Sequence, residues 1–121
     1  MTIVTVELVV DAGIALEQNL VQSLADAIGR ALKSPSGQTW VRLHSLGRSE
    51  YAENRATVGT DELPVFVTVL KWQPLGAELQ AEAAALTQAI AQVVRRPAGC
   101  VHVEYAPAAT GRVSFGGKLV E

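Results

Sequence analysis

Residues 64–105, PVFVTVLKWQPLGAELQAEAAALTQAIAQVVRRPAGCVHVEY, combine an apolar strand-like run, an amphipathic helical segment, a proline and a second strand-like run. The same order of features stands 62 residues earlier, in residues 2–43. Identical residues at this spacing include Leu8 and Leu70, Gln18 and Gln80, Leu24 and Leu86, Ala27 and Ala89, Ile28 and Ile90, Pro35 and Pro97, Gly37 and Gly99, and Val41 and Val103. A match at a fixed period indicates one structural unit built twice.

Each copy is predicted to fold as strand, helix and strand. Residues 3–10 and 65–70 are rich in β-branched side chains, which is typical of buried strands. Apolar side chains then recur at helical spacing in both copies: Leu16, Leu20, Leu24, Ile28 and Leu32, and Leu79, Ala83, Leu86, Ile90 and Val94. A proline ends each helix, because proline cannot continue one. Second strands are predicted at residues 39–45 and 100–105.

The two copies predict an α/β fold, which some schemes class as α+β. Strands joined through a helix are expected to be parallel with a right-handed crossover, so two units give a four-stranded sheet with two helices on one face. The whole chain, 1–121, is predicted to be a single domain. It divides into repeats 1–46 and 63–108, a connector loop or short hairpin at 47–62, and a glycine-rich hairpin at 109–121.

The sheet face without helices predicts an oligomer. Large or apolar side chains are expected on that face: Val4, Val6, Trp40, Phe66 and Trp72. Such a surface needs a partner, so copies of the chain are expected to assemble with sheets inward and helices outward.

Composition excludes several classes of function. A net charge of −2 gives no basic field for nucleic acid, and no apolar run reaches the roughly 20 residues that span a bilayer. Cys100 is the only cysteine and the two histidines are scattered, so neither a disulfide framework nor a metal site is expected. The residues after Met1 lack a signal peptide's cationic start, so a cytoplasmic location is the default expectation.

The second copy resembles a complete subunit of 4-oxalocrotonate tautomerase. The matching features are the initial Pro-Val-Phe-Val of residues 64–67, the helix, the break at Pro97, and the closing GRVSFGGKL of residues 111–119. The fused pair resembles two-repeat members of the tautomerase superfamily, such as 5-carboxymethyl-2-hydroxymuconate isomerase and macrophage migration inhibitory factor. This resemblance implies a homotrimer and a cofactor-independent keto–enol tautomerase acting on small 2-hydroxy-dienoate or enol–keto acids.

The resemblance also implies a catalytic amino-terminal proline whose amine acts as the base. At a spacing of 62 this position is Thr2 in the first copy and Pro64 in the second. The nitrogen of an internal proline is a tertiary amide, so Pro64 cannot accept a proton. Thr2 is therefore the candidate base, on condition that Met1 is removed to expose its amine.

The binding arginines that the resemblance implies are absent from their expected positions. At the second of these positions the chain has Trp40, and Arg42 stands two residues beyond. Strand alternation places Trp40, Arg42 and His44 on one face, together with His102 and Glu104 of the second copy. Trp40 and Arg42 are therefore predicted to bind substrate, with Arg42 holding its carboxylate. The alternative for Arg42 is an ion pair, for instance with Glu104, that stabilises a subunit contact.

Four further polar residues are candidates for the site. His102 is predicted to polarise a carbonyl or act as an acid, or else to be a hydrogen-bonded sheet histidine. Tyr51 covers the pocket and donates a proton, or simply packs. Arg112 lies on a hairpin that reaches a neighbouring subunit's site, or is an exposed charge. Glu53 is a candidate for activating water.

Three functions remain open from the sequence. The first is tautomerisation, as the resemblance implies. The second is hydration or decarboxylation that uses Arg42 with His102, Tyr51 or Glu53 in place of the proline. The third is a non-catalytic trimeric scaffold that has kept the architecture without the base.

Overall fold

The computed structural model describes all 121 residues, Met1–Glu121, and contains two β-α-β units followed by a hairpin. The first unit consists of β1 (Thr2–Val10), α1 (Leu20–Ala31) and β2 (Thr39–Gly47). The second consists of β3 (Val65–Lys71), α2 (Leu79–Val94) and β4 (Val101–Tyr105). The closing hairpin pairs β5 (Ser114–Phe115) with β6 (Lys118–Leu119). Neither helix combines the length and apolar character needed to cross a bilayer.

The four long strands form one mixed sheet in the order β2-β1-β3-β4. Each unit contributes a parallel pair, and the units meet where β1 runs antiparallel to β3. The helices pack on each other and on the same sheet face, where Leu24, Ile28, Leu86 and Ile90 are fully buried. The predicted fold class, a four-stranded sheet with two helices on one face, is confirmed.

One prediction about the sheet faces was wrong. Val4 and Val6 are fully buried in the core beneath the helices, and not on the helix-free face. Their neighbours Ile3, Thr5 and Glu7 occupy the other face and are half-buried. Thr5 and Glu7 alternate with Val4, Val6 and Leu8, so the period of two in the sequence already indicates which residues point to the core.

Helix α1 begins later than its periodicity suggested. It starts at Leu20, after Asn19 in the left-handed conformation with φ 70. Asparagine tolerates this region better than most residues, so Asn19 sets the boundary. Leu16 still packs on the core, but from the irregular segment before the helix.

The connector between the units is anchored by Arg48. Its Nε donates to Oδ1 of Asp11 at 2.5 Å, and its Nη1 donates to the Val58 carbonyl. The hydrogen bond from Arg48 is the main reason that the pKa of Asp11 lies below its ordinary value. Residues at both ends of the connector are thereby held against the end of β1.

Candidate functional site

The helices of the two copies keep the spacing of 62 seen in the sequence. Leu24 and Leu86 are both fully buried between the helices and the sheet. Lys33 and Arg95, just after the helices, both adopt the left-handed conformation, with φ 54 and φ 58. Because non-glycine residues rarely adopt it, this shared conformation shows that the two helix ends are structurally equivalent.

The first strands of the two copies are related by 63 residues. Thr39 and Val101 are equivalent at the spacing of 62, since each opens a second strand. Thr39 pairs with Thr2, whereas Val101 pairs with Val65. Thr2 therefore corresponds structurally to Val65, and the phase of the repeat shifts by one residue between strand and helix.

This shift changes which residue stands at the position of Pro64. Burial agrees with the pairing, because Val4 and Val67 both lie in the core. With the first strands related in this way, Met1 corresponds to Pro64, and Thr2 is one residue further into the strand. The position assigned to Thr2 by sequence spacing is therefore occupied by Met1.

Met1 lies between a polar cleft and an apolar pocket. The polar one, called here the first-copy cleft, has a volume of about 300 Å³ and is lined by Met1, Thr2, Lys33, Ser34, Lys71 and Glu82 among others. The apolar pocket, of about 700 Å³, is lined by Trp72, Phe115 and Leu119. A small acid with an apolar tail matches this pair of surfaces.

Lys71 and Glu82 line one wall of the first-copy cleft and form a hydrogen-bonded cluster with Tyr105. Lys71 Nζ donates to Oε1 of Glu82 at 2.6 Å, and Tyr105 Oη donates to Oε2 of the same carboxylate at 2.8 Å. Burial, followed by the bond to Glu82 and its charge, raises the pKa of Tyr105 well above its ordinary value. Lys33 has no ion-pair partner, so the cleft carries excess positive charge that favours an anion.

The two tyrosines allow this cluster to be tested by titration. We expect Glu82→Gln to lower the pKa of Tyr105 but to leave it above the ordinary value, because burial remains. Because the pKa of Tyr105 is higher in the folded than in the unfolded chain, Tyr105 stabilises the folded state below pH ~10. This stabilisation is lost as the pH rises from the ordinary tyrosine pKa through the raised one. Phenolate absorbance between pH 8 and 13 measures the shift. Glu53→Gln is the control, since Glu53 raises the pKa of Tyr51 alone; equal effects of both variants on one transition would contradict the assignment.

The second copy has a corresponding cleft that is built differently. Its volume is about 430 Å³, and Leu63 and Arg96 lie in its wall. Arg96 Nη1 donates to the carbonyl oxygens of Leu63 and Pro64 at 3.0 and 3.2 Å. Burial lowers the pKa of Arg96 from its ordinary value. The connector therefore occupies the place that Met1 has in the first copy, and the buried Pro64 nitrogen is an amide.

Trp40 lies on β2, beside the first residues of β1. It pairs with Ile3, its Nε1 donates to the Gly37 carbonyl at 3.1 Å, and its ring meets Phe115 edge-on at 5.8 Å between centroids. Arg42 is one step further along β2 on the same face. Its Nη2 donates to Oγ1 of Thr5 at 3.0 Å, and it has no ion pair with Glu104 within the chain.

Tyr51 and His102 form a separate group at the other end of the sheet. Both rings pack on Phe66, each with centroids 5.8 Å apart. Tyr51 Oη donates to Glu53 Oε2 at 2.6 Å, and this bond is the main reason that the pKa of Tyr51 is raised. Lys71 and its partner Thr2 line the first-copy cleft. Phe66 is five residues from Lys71 along β3, so ~16 Å separates the Tyr51–His102 group from that cleft.

The remaining predicted residue, Arg112, borders neither cleft. It is exposed and donates to the Ala108 carbonyl at 3.4 Å. The polar residues that do line the first-copy cleft, Lys33, Lys71 and Glu82, were missed from the sequence. The signal available for Lys33 was its place just before the helix-ending proline, beside the start of β1 in a β-α-β unit.

Comparison with known proteins shows the fold. No protein-family model and no curated protein sequence matches the chain. Solved structures do match it over almost their whole length. Pt0534 inactivated by 2-oxo-3-pentynoate is 19% identical with a TM-score of 0.74, and the match covers 98% of this chain and 95% of the Pt0534 chain. A fused 4-OT symmetric trimer is 16% identical with a TM-score of 0.73, covering 98% and 94%.

A third match is MIF2 from Leishmania major, which is 14% identical with a TM-score of 0.73, covering 98% of this chain and 97% of its own. The chain therefore has the tautomerase fold, shared by 4-OT and MIF proteins. The fold that the sequence resemblance implied is confirmed.

Proposed function

We propose that this chain is a two-repeat protein of the tautomerase superfamily whose first-copy cleft binds small 2-oxo and enol carboxylic acids. The observation that carries the proposal is the strand pairing that places Met1 where the second copy has Pro64. In a chain that begins at Met1, this position presents a free amine between a cationic cleft and an apolar pocket.

The proposed reaction is keto–enol tautomerisation with the residue-1 amine as the base. An α-amino group in its neutral form carries a lone pair that can accept a proton. The neutral amine accepts the proton of the enol hydroxyl and returns a proton to carbon, so the substrate gains and loses no atoms. Lys33 and Lys71 attract the carboxylate and the developing charge on oxygen. No cofactor takes part.

An experiment on Lys33 tests the binding half of this proposal. We expect Lys33→Gln to raise KM for phenylenolpyruvate about tenfold or more, because a charge-assisted hydrogen bond is removed. The turnover number kcat should change less, since substrate and transition state both carry the carboxylate. Steady-state ketonisation kinetics, followed by absorbance, measure both constants.

Arg95→Gln is the matched control, because Arg95 has the same backbone conformation at the end of the second helix. It is expected to leave KM unchanged. Equal effects of the two variants would argue against a carboxylate site at Lys33. The proposed activity would be overturned if phenylenolpyruvate and 2-hydroxymuconate ketonise no faster with wild-type protein than without it.

A second candidate function rests on the Tyr51–Glu53 hydrogen bond. A carboxylate that accepts a short bond from a phenol, with His102 across the ring of Phe66, offers an acid and a base for hydration or decarboxylation. Arg42 is on the same sheet face. Turnover that is abolished by Glu53→Gln and untouched by Lys33→Gln would favour this function over tautomerisation.

The proposed assembly is a homotrimer with the helix-free faces inward. The trimeric fused 4-OT structure supports it, as do the exposed apolar side chains of Trp40 on the edge strand β2, Trp72 just after β3 and Leu119 on the hairpin. Arg112 is on the same closing segment, and reaching a neighbouring site remains its proposed role. Sedimentation of a monomer at micromolar concentration would contradict the assembly.

A further inference from the structure

A row of polar side chains crosses the helix-free face at one level. Strand pairing aligns Arg42 with Thr5, Thr5 with Thr68, and Thr68 with Glu104. Arg42 Nη2 donates to Thr5 Oγ1 at 3.0 Å, and Thr68 Oγ1 donates to Glu104 Oε1 at 3.4 Å. The row therefore begins with a cation on the edge strand β2 and ends with an anion on the edge strand β4.

Neither charge at the ends of this row finds an ionic partner within the chain. Arg42 and Glu104 are both exposed, and neither forms an ion pair. Three strand spacings separate them, about 14 Å, so they cannot meet within one subunit. Opposite charges on opposite edges make the sheet complementary to a second copy of itself.

The edges that carry these charges are also open. No strand pairs with the outer sides of β2 and β4, so these edges present backbone N–H and C=O groups that can pair with a strand of another chain. The pairing directions make β2 antiparallel to β4. Rotation about an axis along the strands therefore brings β4 of one copy beside β2 of the next in antiparallel orientation. Such head-to-tail contacts close into a ring when the rotation between copies is a whole fraction of a turn, as in a trimer.

We propose that Arg42 of one copy pairs with Glu104 of the next copy at every seam of the ring. This inference rests on the three-copy assembly proposed above and names the contact that closes it. It assigns Arg42 to assembly and leaves carboxylate binding to Lys33 and Lys71. The inner wall of the ring then carries Arg42, Thr5, Thr68 and Glu104 as a repeating polar belt.

A charge exchange tests the pairing. Arg42→Glu and Glu104→Arg each place like charges at the seam, and each is expected to raise the dissociation constant of the assembly about tenfold or more. The double variant restores opposite charges and is expected to return the constant towards the wild-type value. Sedimentation equilibrium at several concentrations measures assembly, and circular dichroism checks that each variant is folded. Arg30→Glu, on the exposed face of α1, is the control for charge reversal alone.

Rescue by the double variant, with the Arg30 control unaffected, supports the pairing. Single variants that assemble as well as the wild type overturn it, and so does a double variant that stays as dissociated as the singles. A wild-type protein that is monomeric overturns it as well. Turnover of phenylenolpyruvate by the same samples is a separate readout, because an intact ring without turnover contradicts the proposed reaction and not the seam.

Discussion

Ile28→Ala is expected to lower the free energy of unfolding by about 2–5 kcal/mol. Ile28 is fully buried in the core that joins both helices to the sheet. Alanine removes apolar atoms from this site, and close-packed neighbours collapse only partly into the space that is left. Urea unfolding followed by circular dichroism measures the change, with the slope against urea expected to stay constant.

Ile14→Ala is the matched control for this variant. Ile14 is the same residue type, but 60% of its surface is exposed in the segment between β1 and α1. The expected loss is within about 0.5 kcal/mol, as for most surface substitutions. Similar losses for Ile14→Ala and Ile28→Ala would contradict the core described here.

The second large effect concerns the amine of residue 1. Extra residues placed before Met1 convert that amine into an amide, which cannot act as a base. We expect turnover of phenylenolpyruvate to fall by about 10²-fold or more, the usual contribution of a general base. Removal of the extension by a protease that leaves Met1 first is expected to restore turnover, which excludes damage by the extension itself.

A chain that begins at Thr2 separates the two candidate amines. Because Met1 and not Thr2 corresponds to Pro64, this shortened chain is expected to be less active than the chain that begins at Met1. Higher activity in the shortened chain would favour Thr2, the candidate that sequence spacing indicates. Unchanged activity in the extended chain would exclude both amines.

The repeating pattern of the sequence predicted most of the fold. Helical spacing around Leu24 and Leu86 located the helices, and the prolines at 35 and 97 located their ends. The one-residue shift of the first strands was missed because the spacing of 62 was carried from the helices into the strands. A spacing of 63 aligns Val4-Thr5-Val6 with Val67-Thr68-Val69, which are identical. The pairings of Thr2 with Thr39 and of Val65 with Val101 show this register.

The candidate site was predicted less completely. Alternation along β2 placed Trp40 and Arg42 on the helix-free face, and the structure agrees. Lys71, Glu82 and Tyr105 come from three different elements, so their contacts depend on how α2 lies against the sheet. No local sequence pattern predicts these contacts between distant elements. Tyr51 and His102 do come together, but around Phe66 and away from the first-copy cleft.

Labelling by 2-oxo-3-pentynoate tests the central claim most directly, because Pt0534 is inactivated by this compound. The reagent carries a carboxylate and an electrophilic alkyne. A neutral amine adds to the alkyne carbon, and its proton moves to the neighbouring carbon. Peptide mass spectrometry of the treated protein is expected to show one adduct, on the residue-1 amine, formed faster than on a free peptide of residues 1–10. A residue-1 amine that stays unmodified, or reacts no faster than the free peptide, would contradict the account.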